Sequence, residues 1–260
     1  MSHPRNLDRV RHTGFGLATD MTAGKVSHWH THAQHQVLFA AQGTMHLEVE
    51  GGQWLLPPQR AALIASGVQH RVVARTAVEL RTVYLSPRAA RFPSTCRVFP
   101  VTSLAREMLL HAMRWGPDGN PRDTTAQRYF QALAALVAEW AQEARPWHLP
   151  RARSAPLRRA MQYALDALDQ TPTLEGAARA AHLSTRSLTR RFQEETQTTW
   201  RDFLHHARML RAMELLATPD CSVTEAALAV GFASLGAFTR AFHAFTGELP
   251  REFRRRAVSR

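Results

Sequence analysis

The residues with the clearest capacity for chemistry are histidines in the first third of the sequence. Four of the 14 histidines lie between residues 28 and 35. His30 and His32 are two positions apart, so in a β-strand both side chains would point to the same face. Neutral imidazoles gathered on one inward face can bind a divalent metal ion. They can equally line a polar pocket for a small ligand without a metal, and the sequence leaves both alternatives open.

The second chemical signal is an internal repeat near the C-terminus. Residues 178–192 and 227–242 each contain an alanine-rich helix, a turn, and a helix with two large apolar residues four positions apart. The offset is 49 residues before the turn and 50 after it, so the second turn has one additional residue. The dipeptide Thr-Arg recurs at 189–190 and 239–240. This pattern is typical of a helix-turn-helix, whose second helix enters the major groove of DNA.

The histidines and the repeat lie in segments of different periodicity. Short apolar runs separated by glycine and proline occupy residues 10–86, which predicts an all-β sandwich or barrel. The predicted strands are 44–49, 53–56, 61–64, 70–74 and 79–85. Helical periodicity follows, with helices expected at about 103–115, capped by Ser103, and at about 124–143. The second helix has an apolar stripe that either packs on its own barrel or pairs with a second subunit.

A proline- and arginine-rich segment separates the two halves of the chain. Residues 145–156 contain three prolines and three arginines, which predicts an interdomain linker. Everything after this segment has helical periodicity. The sequence therefore predicts an α+β protein of two domains, with a β-barrel and flanking helices first and an all-α domain second.

The charge balance points to a polyanionic partner. The 260 residues include 33 basic and 21 acidic side chains, giving a net charge of +12 and an isoelectric point of about 11.3. All the basic residues except Lys25 are arginines, which bind phosphate and guanine well, although GC-rich codon usage would give the same excess. Two cysteines exclude a disulfide scaffold. Neither a membrane span nor a secretory signal is predicted, which favours the cytoplasm.

A long helix is predicted between the two copies of the repeat, from about Thr199 to Ala217. At 1.5 Å per residue it spans about 28 Å, and successive major grooves on one face of DNA are about 34 Å apart. A strut of that length can hold two recognition helices in adjacent grooves. The alternative is a helical hairpin repeat that packs only against itself, and the recurring Thr-Arg dipeptide and the strut count against it.

These features resemble the AraC/XylS family of bacterial transcription regulators over about residues 157–257. The shared features are Arg208, Ala212, Leu215 and Leu216 on the linking helix, Gly231-Phe232 in the second turn, and residues 247–254, which match the family's closing pattern G-x-x-P-x-x-[YF]-R. Gln197 departs from the glycine that usually follows the first recognition helix. A non-glycine residue would therefore have to adopt a left-handed conformation there.

The resemblance also implies which side chains face DNA. They are Arg186, Thr189, Arg190 and Gln193 in the first recognition helix, Leu235, Gly236, Ala237 and Arg240 in the second, and Arg254 in the closing pattern. Arginine can read guanine with two hydrogen bonds, and threonine can bond a base or touch a thymine methyl group. Because three of the four positions in the second helix lack a hydrogen-bonding side chain, that helix is expected to rely on Arg240, apolar contact and DNA shape. Any single arginine could instead contact only phosphate.

The first third of the sequence resembles a cupin barrel, which serves as the sensor in one subgroup of that family. The first cupin motif corresponds to His30, His32 and Gln36, with glutamine where glutamate is usual, and the second motif ends at His70. Three imidazoles and an amide oxygen could hold a divalent metal ion, or the barrel could bind a small effector without metal. Glutamine is a poorer ligand than glutamate, which weakens the case for the metal.

Three functions compete. The first is a transcription regulator that is not an enzyme, in which a small effector or a metal ion in the barrel controls a DNA-reading domain. The alternative is a metal-dependent cupin enzyme with an appended DNA-binding domain. Gln36 argues against this alternative, and so does the helical repeat, whose spacing fits adjacent major grooves and which an enzyme does not need. The third is architectural DNA binding without a sensor, which has no use for a polar barrel interior.

We favour the regulator. The expected domains are an effector-sensing barrel at 1–100, a helical dimerisation region at 101–144, the linker at 145–156 and a DNA-binding domain at 157–260. The expected partners are double-stranded DNA, an effector or metal ion and a second copy of the chain. RNA polymerase is a candidate partner, and no membrane is expected.

Overall fold

The computed structural model describes residues 12–49, 52–56, 60–142, 148–150 and 152–258. The chain divides into two units, Met1–Glu50 with Trp54–Pro146 and Gly51–Gln53 with Trp147–Arg260. In the described part of the chain, the first unit contains antiparallel sheets and two α-helices, and the second is helical apart from one short strand and the first residues of another. The predicted α+β class is confirmed. Residues 145–147 and 151 of the predicted linker, and the N-terminal residues bearing on a secretory signal, lie outside the described residues.

Two sheets form the first unit. Its strands are β1 (Gly14–Met21), β2 (His35–Gln42), β3 (Met45–Val49), β4 (Gly52–Leu56), β5 (Arg60–Ile64), β6 (His70–Ala74), β7 (Val78–Leu85) and β8 (Arg97–Pro100). One sheet has the order β1-β7-β2-β5-β8, and in the other β3 lies between β6 and β4. The short strand β9 (His148–Pro150) follows β4, whose first residues group with it in the second unit.

The central strand β2 is buried on both faces, and this positions the candidate pocket. Val37 and Phe39 point to the face that carries the helices, where they join the apolar core. Because side chains alternate along a strand, Gln36 and Leu38 point to the opposite face. Gln36 pairs in register with Tyr84 of β7, so two polar side chains lie next to each other on that face.

Helix α1 (Ser103–His111) begins and ends differently from the prediction. Its N-cap is Thr102 rather than Ser103, because the Thr102 hydroxyl accepts a hydrogen bond from the N–H of Ala105. It also ends before residue 115, and a 3-10 turn (Ala112–Arg114) follows. The carbonyl of Trp115 accepts a hydrogen bond of 2.8 Å from the N–H of Gly16 in β1, which ties the chain to the sheet. Gly116 and Pro117 follow, and proline has no N–H with which to continue a helix.

Helix α2 (Thr124–Gln142) packs its apolar stripe on its own unit. Leu133 and Val137 are fully buried in the core, and Tyr129 and Trp140 are partly buried against it. Of the two alternatives drawn from the sequence, the structure therefore assigns these side chains to the core. A subunit contact through α2 would have to use the exposed face of the helix.

The second unit consists of seven described helices. They are α3 (Ala155–Asp166), α4 (Leu174–Ala181), α5 (Thr185–Thr196), α6 (Trp200–Leu216), α7 (Val223–Ala229), α8 (Leu235–Thr246) and α9 (Pro250–Val258). A hydroxyl side chain caps each helix from α3 to α8, accepting a hydrogen bond from an N–H in the first turn. The serine and threonine positions of the sequence therefore explain most of the helix starts.

The pairs α4–α5 and α7–α8 form two helix-turn-helix units with separate aromatic cores. In the first, Leu188 and Phe192 of α5 are buried with Phe203 of α6. In the second, Phe242 of α8 contacts Phe238 and Phe253, with ring centroids 5.5 Å apart in each pair. The apolar residues four positions apart are thus the buried side of each second helix, as the helical period requires.

The repeat extends to the backbone conformation. At the offset of 49, His182 is the C-cap of α4 and Gly231 follows the C-cap of α7, with φ of 56° and 75°. At the offset of 50, Gln197 and Gly247 end the second helix with φ of 56° and 85°. Gln197 does adopt the left-handed conformation that its departure from glycine implies, and this conformation is unfavourable for a residue with a Cβ atom.

The paired positions allow a direct test of this cost. Gln197→Gly is expected to raise the free energy of unfolding by about 1 kcal/mol, because glycine enters the left-handed region without steric penalty. The mirror variant Gly247→Gln is expected to lower it by a similar amount. Urea unfolding of the two variants and the parent chain measures both effects, and a neutral or destabilising Gln197→Gly would contradict the argument.

Candidate functional site

Helix α5 exposes the residues predicted to face DNA. Arg186, Thr189, Arg190 and Gln193 are all exposed, on the side of α5 away from the buried Leu188 and Phe192. Their spacing of three, four and seven residues places them on one face of the helix. Ser184 fixes the start of this face by capping the helix through the N–H of Ser187.

Two of these side chains have partners within α5. The Thr189 hydroxyl donates to the carbonyl of Thr185 at 2.9 Å, so its oxygen lone pairs and its methyl group remain for DNA. Arg190 lies 3.3 Å from the carboxylate of Glu194 in an exposed pair, which is weak enough to exchange for a base or a phosphate.

The end of α5 also binds the start of the second unit. The carboxylate of Glu195 accepts hydrogen bonds of 2.8 Å from the N–H groups of Arg153 and Ser154. Partial burial acts to raise the pKa of Glu195, but its hydrogen bonds with Ser154 and Arg153 outweigh burial and hold the pKa below its usual value. Ala152, one residue earlier in the chain, is buried in the core of the first helix-turn-helix.

Helix α8 presents a different chemistry. Leu235, Gly236 and Arg240 are exposed and Ala237 is half-buried. Leu235 is 41% exposed, which is high for a large apolar side chain. The structure therefore places the four predicted positions at or near the surface of α8, with Arg240 as their one hydrogen-bonding side chain.

The repeat offset adds two residues to the DNA-facing set: Thr239, which the sequence analysis noted only as part of the recurring dipeptide, and His243, which it missed. At the offset of 50, Thr189 corresponds to Thr239 and Gln193 corresponds to His243, which is exposed. The Thr239 hydroxyl donates to the carbonyl of Leu235 at 2.8 Å, just as Thr189 donates to Thr185. Applying the repeat offset to every position of the first helix would have found both residues.

Arg254 has a different environment from the other predicted DNA-facing residues. Its Nε donates to the carbonyl of Cys221 at 2.6 Å and its Nη2 to the carbonyl of Pro219 at 2.7 Å. The guanidinium thus holds α9 to the loop before α7. One guanidinium edge is used inside the unit, so this arginine has a structural role whatever else it contacts.

In the first unit, three of the predicted pocket residues converge. Nitrogen atoms of His30, His32 and His70 lie within 4.8 Å of one another. The segment before β2 is not a regular strand, but His30 forms an isolated antiparallel bridge with His70 through two backbone hydrogen bonds of 2.9 and 3.0 Å. This bridge, rather than the predicted strand parity, brings the rings together.

Backbone carbonyls orient all three rings in the same way. Nδ1 lies 2.9 Å from the carbonyl of His28 in His30, 2.7 Å from that of Gln34 in His32, and 2.9 Å from that of Val68 in His70. A carbonyl can only accept, so in neutral His30 and His70 the proton is on Nδ1 and Nε2 keeps its lone pair. His32 differs, because an oxygen atom that can only accept lies beside each of its two ring nitrogens. Nε2 of His70 is buried without a hydrogen-bond partner.

Gln36 connects the cluster to the sheet. Its Oε1 is 2.9 Å from Nε2 of His32, and its Nε2 donates to the hydroxyls of Thr82 and Tyr84 at 2.9 Å each. All three of these β2 and β7 side chains are buried. Gln36 therefore lies beside the imidazoles, and its Oε1 can bind His32 only when Nε2 of that ring carries a proton.

Burial determines the charge of this pocket. Burial lowers the pKa of His70 to about 3. The hydrogen bond to Val68 acts in the opposite direction, and the neighbouring His30 and His32 lower this pKa further. Burial also raises the pKa of Tyr84 to about 12, against its hydrogen bonds with Gln36 and Thr82. At neutral pH the pocket thus offers a neutral imidazole and a protonated phenol.

The two units together define a DNA-binding regulator with a ligand-binding domain. Residues 14–203 match the model of the AraC-like ligand binding domain, and residues 177–256 match that of a helix-turn-helix domain. The chain belongs to the AraC family of transcriptional regulators. It is a regulator and not an enzyme, so the enzyme alternative is set aside. None of the described helices combines the length and the apolar character that crossing a bilayer requires.

Relatives of known name are similar along most of the chain. The HTH-type transcriptional regulator NimR of Escherichia coli (strain K12) is 26% identical over 256 residues, covering 96% of this chain and 92% of NimR. The HTH-type transcriptional activator RhaS of Escherichia fergusonii is 25% identical over 245 residues, covering 86% of each chain. Among solved structures, the DNA-binding domain of AdpA in complex with a target DNA is 35% identical, covers 39% of this chain and 91% of that chain, and has a TM-score of 0.36.

The contacts of Arg254 predict a loss of stability on substitution. Arg254→Ala removes two charge-assisted hydrogen bonds to carbonyls and is expected to lower the free energy of unfolding by about 1.5–3 kcal/mol. Arg251→Ala, which removes an exposed arginine from the same helix, is the matched control and should change stability by less than about 0.5 kcal/mol. Equal unfolding midpoints in urea for the two variants would refute the structural role.

Proposed function

We propose that this regulator reads a specific DNA sequence with α5 and α8 in adjacent major grooves, under the control of an effector or divalent metal ion at the histidine cluster. The observation that carries the proposal is the repeat itself. Both second helices bury equivalent apolar residues and expose equivalent positions, and α6 joins them. At 17 residues α6 is about 26 Å long, somewhat shorter than the predicted strut because Thr199 and Ala217 are its caps.

The proposed DNA-facing residues differ in what they can recognise. Arg186 and Arg190 can each form two hydrogen bonds with a guanine, and Gln193 can do so with an adenine. In α8 the corresponding capacity rests on Arg240 and on His243, the counterpart of Gln193. The two half-sites of the operator are therefore expected to differ in sequence, with specific hydrogen bonding concentrated in the half-site read by α5.

Arginine substitutions test whether α5 reads bases. Arg186→Ala and Arg190→Ala are each expected to weaken operator binding by about 1–3 kcal/mol and to relax the preference at one base pair. Arg128→Ala, an exposed arginine of α2 in the first unit, removes the same charge and serves as control. Binding is measured by fluorescence anisotropy on the operator and on random duplexes at several salt concentrations. Loss of equal size on both DNAs, with a shallower salt slope, would instead indicate phosphate contacts.

The histidine cluster has the features of a ligand site. A buried polar atom without a partner is costly, and His70 Nε2 is such an atom. Imidazoles that ligate metals usually donate the other ring nitrogen to a carbonyl or carboxylate, as these three do. The residues present therefore fit a divalent ion held by Nε2 of His30 and His70, with Nε2 of His32 as a third ligand once the Gln36 amide turns its Oε1 away from that atom. A small molecule that donates hydrogen bonds would satisfy the same atoms.

Substitution of the cluster separates sensing from DNA binding. The His30→Ala/His70→Ala double variant is expected to retain operator affinity but to lose the response of a reporter, driven by a promoter that the parent chain is found to bind by genomic footprinting. It should also lose the Zn²⁺ or Co²⁺ that the parent chain retains after dialysis, if the ligand is a metal. His28→Ala removes a neighbouring exposed histidine and is the control. A double variant that still responds fully would show that the cluster is not the sensor.

The remaining partners complete the proposal. The family favours a homodimer, and a dimer contact in residues 101–144 would use surface other than the buried stripe of α2. A regulator that reads the chromosome is placed in the cytoplasm, and RNA polymerase is the partner through which bound protein would alter transcription. Binding at the cluster can alter DNA binding only if the effector has different affinities for two conformations of the chain.

A further inference from the structure

The first turn of α8 has an apolar surface where α5 has a polar one. Leu235 is 41% exposed, and Gly236 and Ala237 follow it in the sequence. The equivalent residues of α5 are Thr185 and Arg186, then a serine. The two recognition helices therefore have opposite chemistry at the positions closest to their N-termini.

The next turn of α8 adds little hydrogen-bonding capacity. The Thr239 hydroxyl is donated to the carbonyl of Leu235, so this side chain offers only its methyl group and its oxygen lone pairs. Between residues 235 and 240, Arg240 is then the one side chain with N–H groups to donate. A surface of this composition cannot distinguish bases mainly by hydrogen bonds.

The glycine at 236 is not required by the packing of the unit. A Cβ atom built there would meet nothing closer than Nη1 of Arg240, at an ordinary contact distance of 3.6 Å. Glycine nevertheless weakens a helix relative to alanine. Its use at an exposed position of a recognition helix is explained if the backbone approaches another surface closely there.

The major groove contains one apolar group that fits such a surface, the 5-methyl group of thymine. We infer that Leu235 contacts a thymine methyl group in the half-site read by α8, and that Gly236 lets the helix approach that base. This inference rests on the DNA-reading function proposed above. A G·C pair is a poor alternative, because Leu235 would cover its donors and acceptors without replacing their hydrogen bonds to water.

Deoxyuridine isolates the methyl group, because it pairs like thymine and lacks only that group. A binding site is first obtained by selection of random 40-base-pair duplexes with the full chain. Each thymine of the selected duplex is then replaced singly by deoxyuridine, and binding is measured by anisotropy. One replacement is expected to weaken binding by the parent chain about fourfold, the factor that about 0.8 kcal/mol per buried methyl group corresponds to.

Two leucine variants assign that loss to a side chain. Leu235→Ala is expected to bind the thymine duplex about as weakly as the parent binds the deoxyuridine duplex, and to show no further loss with deoxyuridine, as for two partners of one contact. Leu228→Ala removes a leucine that is 60% exposed on α7 and should keep the fourfold difference. Gly236→Ala should bind the same duplex more weakly while its thermal unfolding midpoint stays the same or rises.

The outcomes separate this inference from the proposed function. Selection that enriches no sequence would refute sequence-specific reading, and the inference with it. An enriched site at which every deoxyuridine duplex binds like its thymine parent would refute the inference alone. The same holds if Leu235→Ala retains the discrimination, if Leu228→Ala also loses it, or if Gly236→Ala binds as tightly as the parent chain.

Discussion

The burial of two apolar side chains in each second helix is the constraint on which the DNA-reading surface depends. Leu188 and Phe192 in α5, like Phe238 in α8, are fully or almost fully buried. With 3.6 residues per turn, burying those positions leaves the residues around Arg186 and Arg240 on the outside. In β2, successive side chains alternate between the two faces of the sheet, so Val37 points to the helices and Gln36 points to the histidine cluster. The two candidate sites thus follow from packing, since each is the side of an element that the core does not use.

The sequence predicted most of the second unit because its signals are local. Capping hydroxyls and apolar residues four positions apart act within one or two turns. The one helix there whose bounds were predicted, about Thr199 to Ala217, agrees with α6 within one residue at each end. The first unit was harder to predict where distant contacts decide. Trp115 lies beyond the end of α1, and its carbonyl binds the N–H of Gly16 in β1, a contact that no local pattern encodes. Strand β8 has only four residues and forms by pairing with β5, so its own sequence has no period to detect.

In the candidate sites, too, features set by local spacing were predicted and features set by distant contacts were not. The exposed face of α5 could be predicted from spacing, and so could Thr239 and His243 once the offset was applied throughout. The convergence of His30 and His32 was predicted from a strand that does not form, and a backbone bridge to His70 supplies it instead. The two carbonyls that Arg254 binds lie more than 30 positions away along the chain. So do the hydroxyls of Thr82 and Tyr84 to which Gln36 donates. No linear pattern encodes either.

The hydrogen bonds between Glu195 and the N–H groups of Arg153 and Ser154 have a consequence for the autonomy of the second unit. A fragment cut at residue 157, where the helical periodicity of the sequence begins, would lack both donors, the capping hydroxyl of α3 and the buried Ala152. In that fragment, the carboxylate of Glu195 near the end of α5 would lose its hydrogen bonds to the two backbone N–H groups. A fragment meant to contain the whole DNA-reading domain should therefore start before β9. It then keeps the residues that the composition assigned to the linker, which pack against the folded domain.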